Sequence, residues 1–140
     1  MKEMFLDLIV VLLPLVGGYF LYLHKRKQKA ASKFREAFSE EIAQCKSQEQ
    51  FRIREVLAAS MLKHEKAVIL FKPFLKGEEK LEFVSAWTEY RMSNRYSSLN
   101  DFEAERGVNS DGYLREISEH EQRKKALSQL SSLIRYAPIK

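Results

Sequence analysis

The 140-residue chain has one cysteine, one tryptophan, three prolines, three histidines and five glycines, and each shortage closes off a class of protein. A lone thiol, Cys45, forms no internal disulfide. That excludes the small disulfide-stapled folds and fits a reducing compartment. Gly17 and Gly18 sit together in an apolar run, so little glycine is left elsewhere. No Gly-rich phosphate cradle and no Gly-x-Ser-x-Gly elbow is present. A zinc-binding helix of the His-Glu-x-x-His type needs its second histidine one turn on. His64-Glu65-Lys66-Ala67-Val68 and His120-Glu121-Gln122-Arg123-Lys124 both lack it, and Cys45 has no Cys or His at ligand spacing. No metal, no cofactor and no local catalytic constellation is therefore expected, and the chain reads as a non-enzyme. Glu40-Glu41 and Glu78-Glu79 are adjacent on helices, so their carboxylates diverge and read as solvated faces and helix-start acids.

A large surplus of one charge is also missing once the chain is divided. The net charge of +5 looks like a nucleic-acid signal. Residues 1–29 hold five basic and two acidic side chains, net +3, and residues 30–140 hold nineteen and seventeen, net +2. Most of the surplus lies in Lys25, Arg26, Lys27 and Lys29. In the rest, Arg123-Lys124-Lys125 is the one basic triplet, with Glu119 and Glu121 close by. Nucleic acid is thus disfavoured as a partner.

What the chain does have is Met4 to Leu23, MFLDLIVVLLPLVGGYFLYL, twenty positions with the single charge of Asp7 in the first turn. A bilayer core takes roughly 20 apolar residues of helix. Asp7 lies near a helix N-terminus, where the interface is in reach and the dipole favours it. Pro14 is tolerated in such helices with a kink, and Tyr19, Phe20 and Tyr22 resemble an interfacial aromatic belt. The run predicts one transmembrane helix over about 4–23. A cleaved signal peptide would carry its basic cluster before the apolar run and a small-residue cleavage site after it, and here the order is reversed. Lys25, Arg26, Lys27 and Lys29 set topology, because basic flanks stay cytoplasmic. The expectation is a single-pass protein of the cell inner (plasma) membrane, N-terminus outside, residues 30–140 cytoplasmic, with membrane lipid as a partner.

Beyond the anchor the periods are helical. Phe34, Phe38, Ile42 and Cys45 share a face over 30–45, predicting a short helical stalk that continues from the membrane helix. Ser47-x-x-Gln50 reads as a capping box for a helix from Phe51 through Lys72, with Phe51, Val56 and Leu57 inward, Ile53 a further candidate, and His64, Val68, Phe71 and Leu75 lining one face beyond them. A short strand at Phe51–Val56 is the alternative. Pro73 ends or kinks that helix, and Lys76-Gly77 is a stop. Glu78–Arg91 is a helix whose broad face holds Leu81, Val84 and Thr88 with Phe83, Trp87 and Tyr90. A long loop is expected at about 92–112. Ser118-x-x-Glu121 opens a last helix through Tyr136, with Leu127, Leu130 and Ile134 inward. The fold expected is all-α: the membrane helix, a stalk and a cytoplasmic bundle of about four helices.

Phe83, Trp87 and Tyr90 carry two readings. Aromatics at helical spacing are ordinarily core, whereas Trp and Tyr also serve as partner-binding anchors. His64-Glu65-x-Ala67-Val68-x-x-Phe71, Phe83-x-x-Ala86-Trp87-x-x-Tyr90 and Arg123-Lys124-x-Ala126-Leu127, spread over residues 50–136, resemble a group of small bacterial helical proteins, some with an N-terminal membrane helix. The resemblance implies a bacterial inner-membrane setting and no activity or site residue. The function expected is an interaction, scaffold or regulatory subunit held at the membrane, with another protein as partner. An enzyme whose site assembles across helices, around His64 and His120, is the alternative, as is a binder of anionic lipid or nucleic acid.

Overall fold

The computed structural model describes residues 2–47, 52–95 and 119–138, the side chains of residues 2–9 and 11 excepted. It is all-α, with four helices and no strand among the described residues: α1 (Lys2–Lys46), α2 (Ile53–Phe71), α3 (Gly77–Asn94) and α4 (Glu119–Ile134). A single 3-10 turn, Lys72–Phe74, closes α2. The helices form a four-cornered bundle in which α1 packs on α2 and α4, and α3 on α2 and α4.

The stalk is not a separate element. Helix α1 runs unbroken for 45 residues, about 67 Å at the usual rise, and its second half is a bundle member. Ala31, Phe34, Phe38, Glu41 and Cys45 are buried at i, i+3 and i+4 spacing, while Ile42 is only half-buried. Before the bundle the same helix is bare: residue 10 and residues 12–26 are exposed. Among the described residues no helix is long and apolar enough to cross a membrane. The described side chains of the apolar run, Leu12–Leu23 with Val10, make up about two-thirds of the length a bilayer core takes.

The core stacks in layers. Nearest the bare end, Phe34, Phe71, Phe83 and Tyr136 bring one ring from each corner, with centroids 4.7 to 5.8 Å apart. The middle layer is Phe38, His64, Tyr90 and Trp87. The far layer holds Cys45, Ile53, Leu57, Ala126 and Leu130, closed by Asn94 Nδ2 donating to Gln129 Oε1 at 2.9 Å and Gln129 Nε2 to Ser93 Oγ at 3.1 Å.

Element ends depart from expectation in instructive ways. Helix α2 starts at Ile53 with Arg52 at its N-cap, not at a Ser47 box, and Ser47 Oγ instead donates back to the Gln44 carbonyl. The cap comes from far along the chain: Ile53 N donates to Glu119 Oε1 at 2.7 Å. Pro73 ends α2 as its geometry requires, with the last α-helical residue at Phe71. Gly77 has φ +55 and opens α3 rather than stopping α2. Leu81 is exposed, because the inward face of α3 is narrower than expected and runs through Phe83, Trp87, Tyr90 and Asn94. In α4 the inward face is Ala126, Gln129, Leu130 and Leu133, with Leu127 and Ile134 half-buried. Phe51, Gln50 and Ser118, and most of the loop expected at 92–112, lie outside the described residues.

Candidate functional site

Three groups of side chains were candidates, and the structure treats them differently. Phe83 and Tyr90 have no exposed surface and Trp87 keeps 8 %, so all three are core. The hydrophobic period that selected them is the bundle's own, and a partner would find no aromatic face there. Of the two histidines, His64 is fully buried in the middle layer and His120 is exposed in the first turn of α4. Glu119, beside His120, caps Ile53, which lies 11 residues before His64, roughly 16 Å along the helix. The fold does not join the two histidines.

His64 nevertheless belongs to a polar cluster that local motifs hid. Helix α1 supplies Glu41, α2 supplies Lys63, His64 and Ser60, and α3 supplies Tyr90. Tyr90 Oη and His64 Nδ1 are 2.8 Å apart, and Lys63 Nζ donates to Glu41 Oε1 at 2.6 Å. Glu41 Oε2 and His64 Nε2 are 3.3 Å apart but poorly aligned, so each is buried without a hydrogen bond. A tautomer with the proton on Nε2 faces the carboxylate with a donor and leaves Nδ1 to accept from the phenol. Glu41, read as a solvated residue, is 1 % exposed. Its position at i+3 from Phe38 and i+4 to Cys45 puts it on the inward stripe of α1. The missed signal was this stripe: a carboxylate on a helix's apolar face is a buried charge in want of partners.

The electrostatics follow from that burial. Desolvation pushes the Glu41 carboxyl up, but the His64 ring, the Lys63 ammonium and the Ser60 hydroxyl together outweigh it and hold the carboxyl well below its ordinary 4.5. Burial, with the Glu41 charge adding, pushes the Tyr90 phenol far above its usual range. Cys45, one turn beyond Glu41, is pushed up to about 11 by burial, partly countered by Arg123. The cluster therefore holds an ionised acid, a protonated phenol and a protonated thiol at neutral pH. Lys63, at 43 % side-chain exposure, reaches water, and Ser60 is half-buried. Glu41, His64 and Cys45 do not form a metal-binding set, and no group of three or more such ligands occurs among the described residues.

The third group, Lys25, Arg26, Lys27 and Lys29, is set on the last turns of bare helix. Lys25, Arg26 and Lys29 are exposed and Lys27 is half-buried. His24 Nε2 and Gln28 Nε2 lie 3.0 Å apart on the same stretch. These cations directly follow an apolar surface in which every large side chain from Leu12 to Leu23 is 38 % to 67 % exposed.

Comparison of the chain with protein-family models, with curated proteins and with solved structures finds no match.

Proposed function

We propose that the chain is a single-pass membrane protein whose helical bundle works at the cytoplasmic face of a cell membrane as an interaction or regulatory subunit. The observation that carries this reading is the exposure of apolar side chains all round the first half of α1, from Val10 to Leu23, on a helix continuous with the bundle. Removing one large apolar side chain from water is worth roughly 1.5–3 kcal/mol. Ten such residues on one bare helix are a strong drive toward lipid. Completed by the apolar residues from Met4 onward, the run reaches the span of a bilayer core. The basic flank favours an inside bundle. Anchoring raises the bundle's effective concentration for a partner in the same membrane.

The test is extraction of full-length protein from membranes. It is expected to resist alkaline carbonate, to dissolve in detergent, and to lose its bundle to protease only from the cytoplasmic side. Release by carbonate would remove the spanning helix. For the interaction, crosslinking in membranes followed by mass spectrometry is expected to return one specific protein; none above background would remove that part.

A second reading, a small membrane-anchored enzyme, draws on the convergence of Glu41, His64 and Tyr90. Against it stands their burial, at 1 % exposure or less. Retention of cellular function by a folded His64→Gln protein would close it. Nucleic acid gains little from the basic triplet, since Arg123 is engaged with the Ser47 carbonyl and the Glu119 carboxylate and only Lys124 and Lys125 are left exposed.

A further inference from the structure

The 3-10 turn after α2 sits at the same height as the basic flank of α1. Arg26 Cζ lies 5.9 Å from the centroid of the Phe74 ring. One residue before the turn, Phe71 stacks on Phe34 at 4.7 Å. Arg26 is three residues past Leu23, a rise of about 4.5 Å. Phe74 is therefore seated beside the first turn of α1 beyond the apolar run, the level of a phospholipid headgroup if that run spans. At this level Lys72, Pro73 and Lys76 are exposed and Phe74 is half-buried.

Charge on this end is lopsided. Helix α1 carries no acid between Asp7 and Glu36. Lys25, Arg26, Lys27 and Lys29 come from α1, and Lys72 and Lys76 from the turn and the link behind it. The nearest acids on the turn side are Glu78 and Glu79, exposed in the first turn of α3. They leave the end with a clear basic excess. Two segments some 45 residues apart in sequence thus present cations side by side around the base of one bare apolar helix.

We infer that the Lys72–Gly77 turn is a second membrane contact, binding anionic phospholipid headgroups through Lys72 and Lys76 on the same leaflet as the α1 flank. This rests on the membrane-anchored reading. A single helix lets a bundle pivot; a second contact fixes its tilt. The opposite end, where α1 and α3 close at Lys46 and Asn94 and α2 and α4 open at Ile53 and Glu119, is then aimed away from the membrane. Each lysine near an anionic surface is worth roughly a fivefold gain in binding, and the pair on the order of 25-fold.

The experiment uses the full chain in vesicles of zwitterionic lipid, with and without one-third anionic phosphatidylglycerol, each carrying a headgroup-attached quencher. A fluorophore is placed at Pro73→Cys and, as a far-end control, at Lys46→Cys, which lies 20 residues past Arg26, about 30 Å along α1. Buried Cys45 does not compete for the label. The probe at 73 is expected to be quenched at least threefold more than the probe at 46 in anionic vesicles. Lys72→Glu with Lys76→Glu is expected to bring it down to the control level while the chain still resists carbonate. Equal quenching at 73 and 46 in a carbonate-resistant chain overturns the second contact and leaves the spanning helix intact. Carbonate release with salt-sensitive quenching at 73 does the reverse, overturning the span and keeping the contact. Release with no quenching overturns both.

Discussion

Glu41 carries a charge buried at 1 % exposure, and its surroundings determine what happens when it is altered. Its carboxylate is out of water and answered by Lys63 and His64. Removing one partner of such a group leaves the other stranded, which costs more than the pair contributes. Lys63→Ala, which strands the buried carboxylate, is expected to lower stability by about 3–5 kcal/mol. Glu41→Leu with His64→Leu, which removes both polar groups, is expected to lose less than the two single changes summed; a double-mutant cycle in denaturant reads this directly. Tyr90→Phe deprives His64 Nδ1 of its 2.8 Å partner and is expected to cost about 1–3 kcal/mol. The sign with pH follows from linkage. A carboxyl held below its ordinary 4.5 in the fold contributes fully above that pH, and the contribution is lost as pH falls beneath it. Thermal stability should therefore drop below about pH 4.5, and Glu41→Gln should flatten that drop. Cys45 gives a separate check. A thiol pushed up to about 11 and buried is protonated at pH 8 and shielded. Labelling by a soluble thiol reagent should run at the rate of unfolding and become immediate in denaturant.

At the scale of elements, the connection between α1 and α2 is held from outside. Helix α1 ends with carbonyls lacking partners and α2 begins with N–H groups lacking partners. The first turn of α4 answers both. Arg123 Nη1 donates to the Ser47 carbonyl at 2.7 Å, and Glu119 accepts from Ile53 N at 2.7 Å. A cation thus meets a helix C-terminus and an anion an N-terminus, the favourable sense for both dipoles. Glu119→Ala is expected to cost about 1 kcal/mol, as for a lost N-cap, and Arg123→Ala about 1.5–3 kcal/mol as a lost charged hydrogen bond. Chemical denaturation measures both, and loss of the α1–α2 corner should show as faster amide exchange at Ile53 through Leu57. This junction also explains what sequence could and could not disclose. Existence and type of all four helices were legible, because Phe34–Phe38–Cys45, His64–Val68–Phe71–Leu75 and Phe83–Trp87–Tyr90 repeat at helical period. The start of α2 was not, since its cap is supplied 66 residues away and the local Ser47-x-x-Gln50 pattern competed with it. Glu41 was missed for a related reason. Its neighbour Glu40 is solvent-exposed, and only the position of the stripe, not the residue type, separates the two.

For the whole molecule, the division that matters runs across α1. Core membership begins at Ala31, with Ala30 half-buried, and Arg26 lies over the Phe74 ring one turn earlier. The described side chains before that point, Val10 and residues 12–25, are exposed, so the bundle's free energy and the apolar helix's are separable to a good approximation. A chain starting at Lys27 would lose only the Arg26–Phe74 contact, worth about 0.5–1 kcal/mol at an exposed site. One kcal/mol shifts the melting temperature of a domain this size by roughly 4–8 °C. The shortened chain is therefore expected to melt cooperatively about 2–8 °C below the full chain in mild detergent, as followed by circular dichroism at 222 nm. It should also stay dispersed without detergent, because the exposed apolar surface from Val10 to Leu23 is gone. A shortened chain lacking a cooperative transition would mean that the apolar helix supports the core. The bundle would then be built on that helix, and the separation drawn at Arg26 would be false.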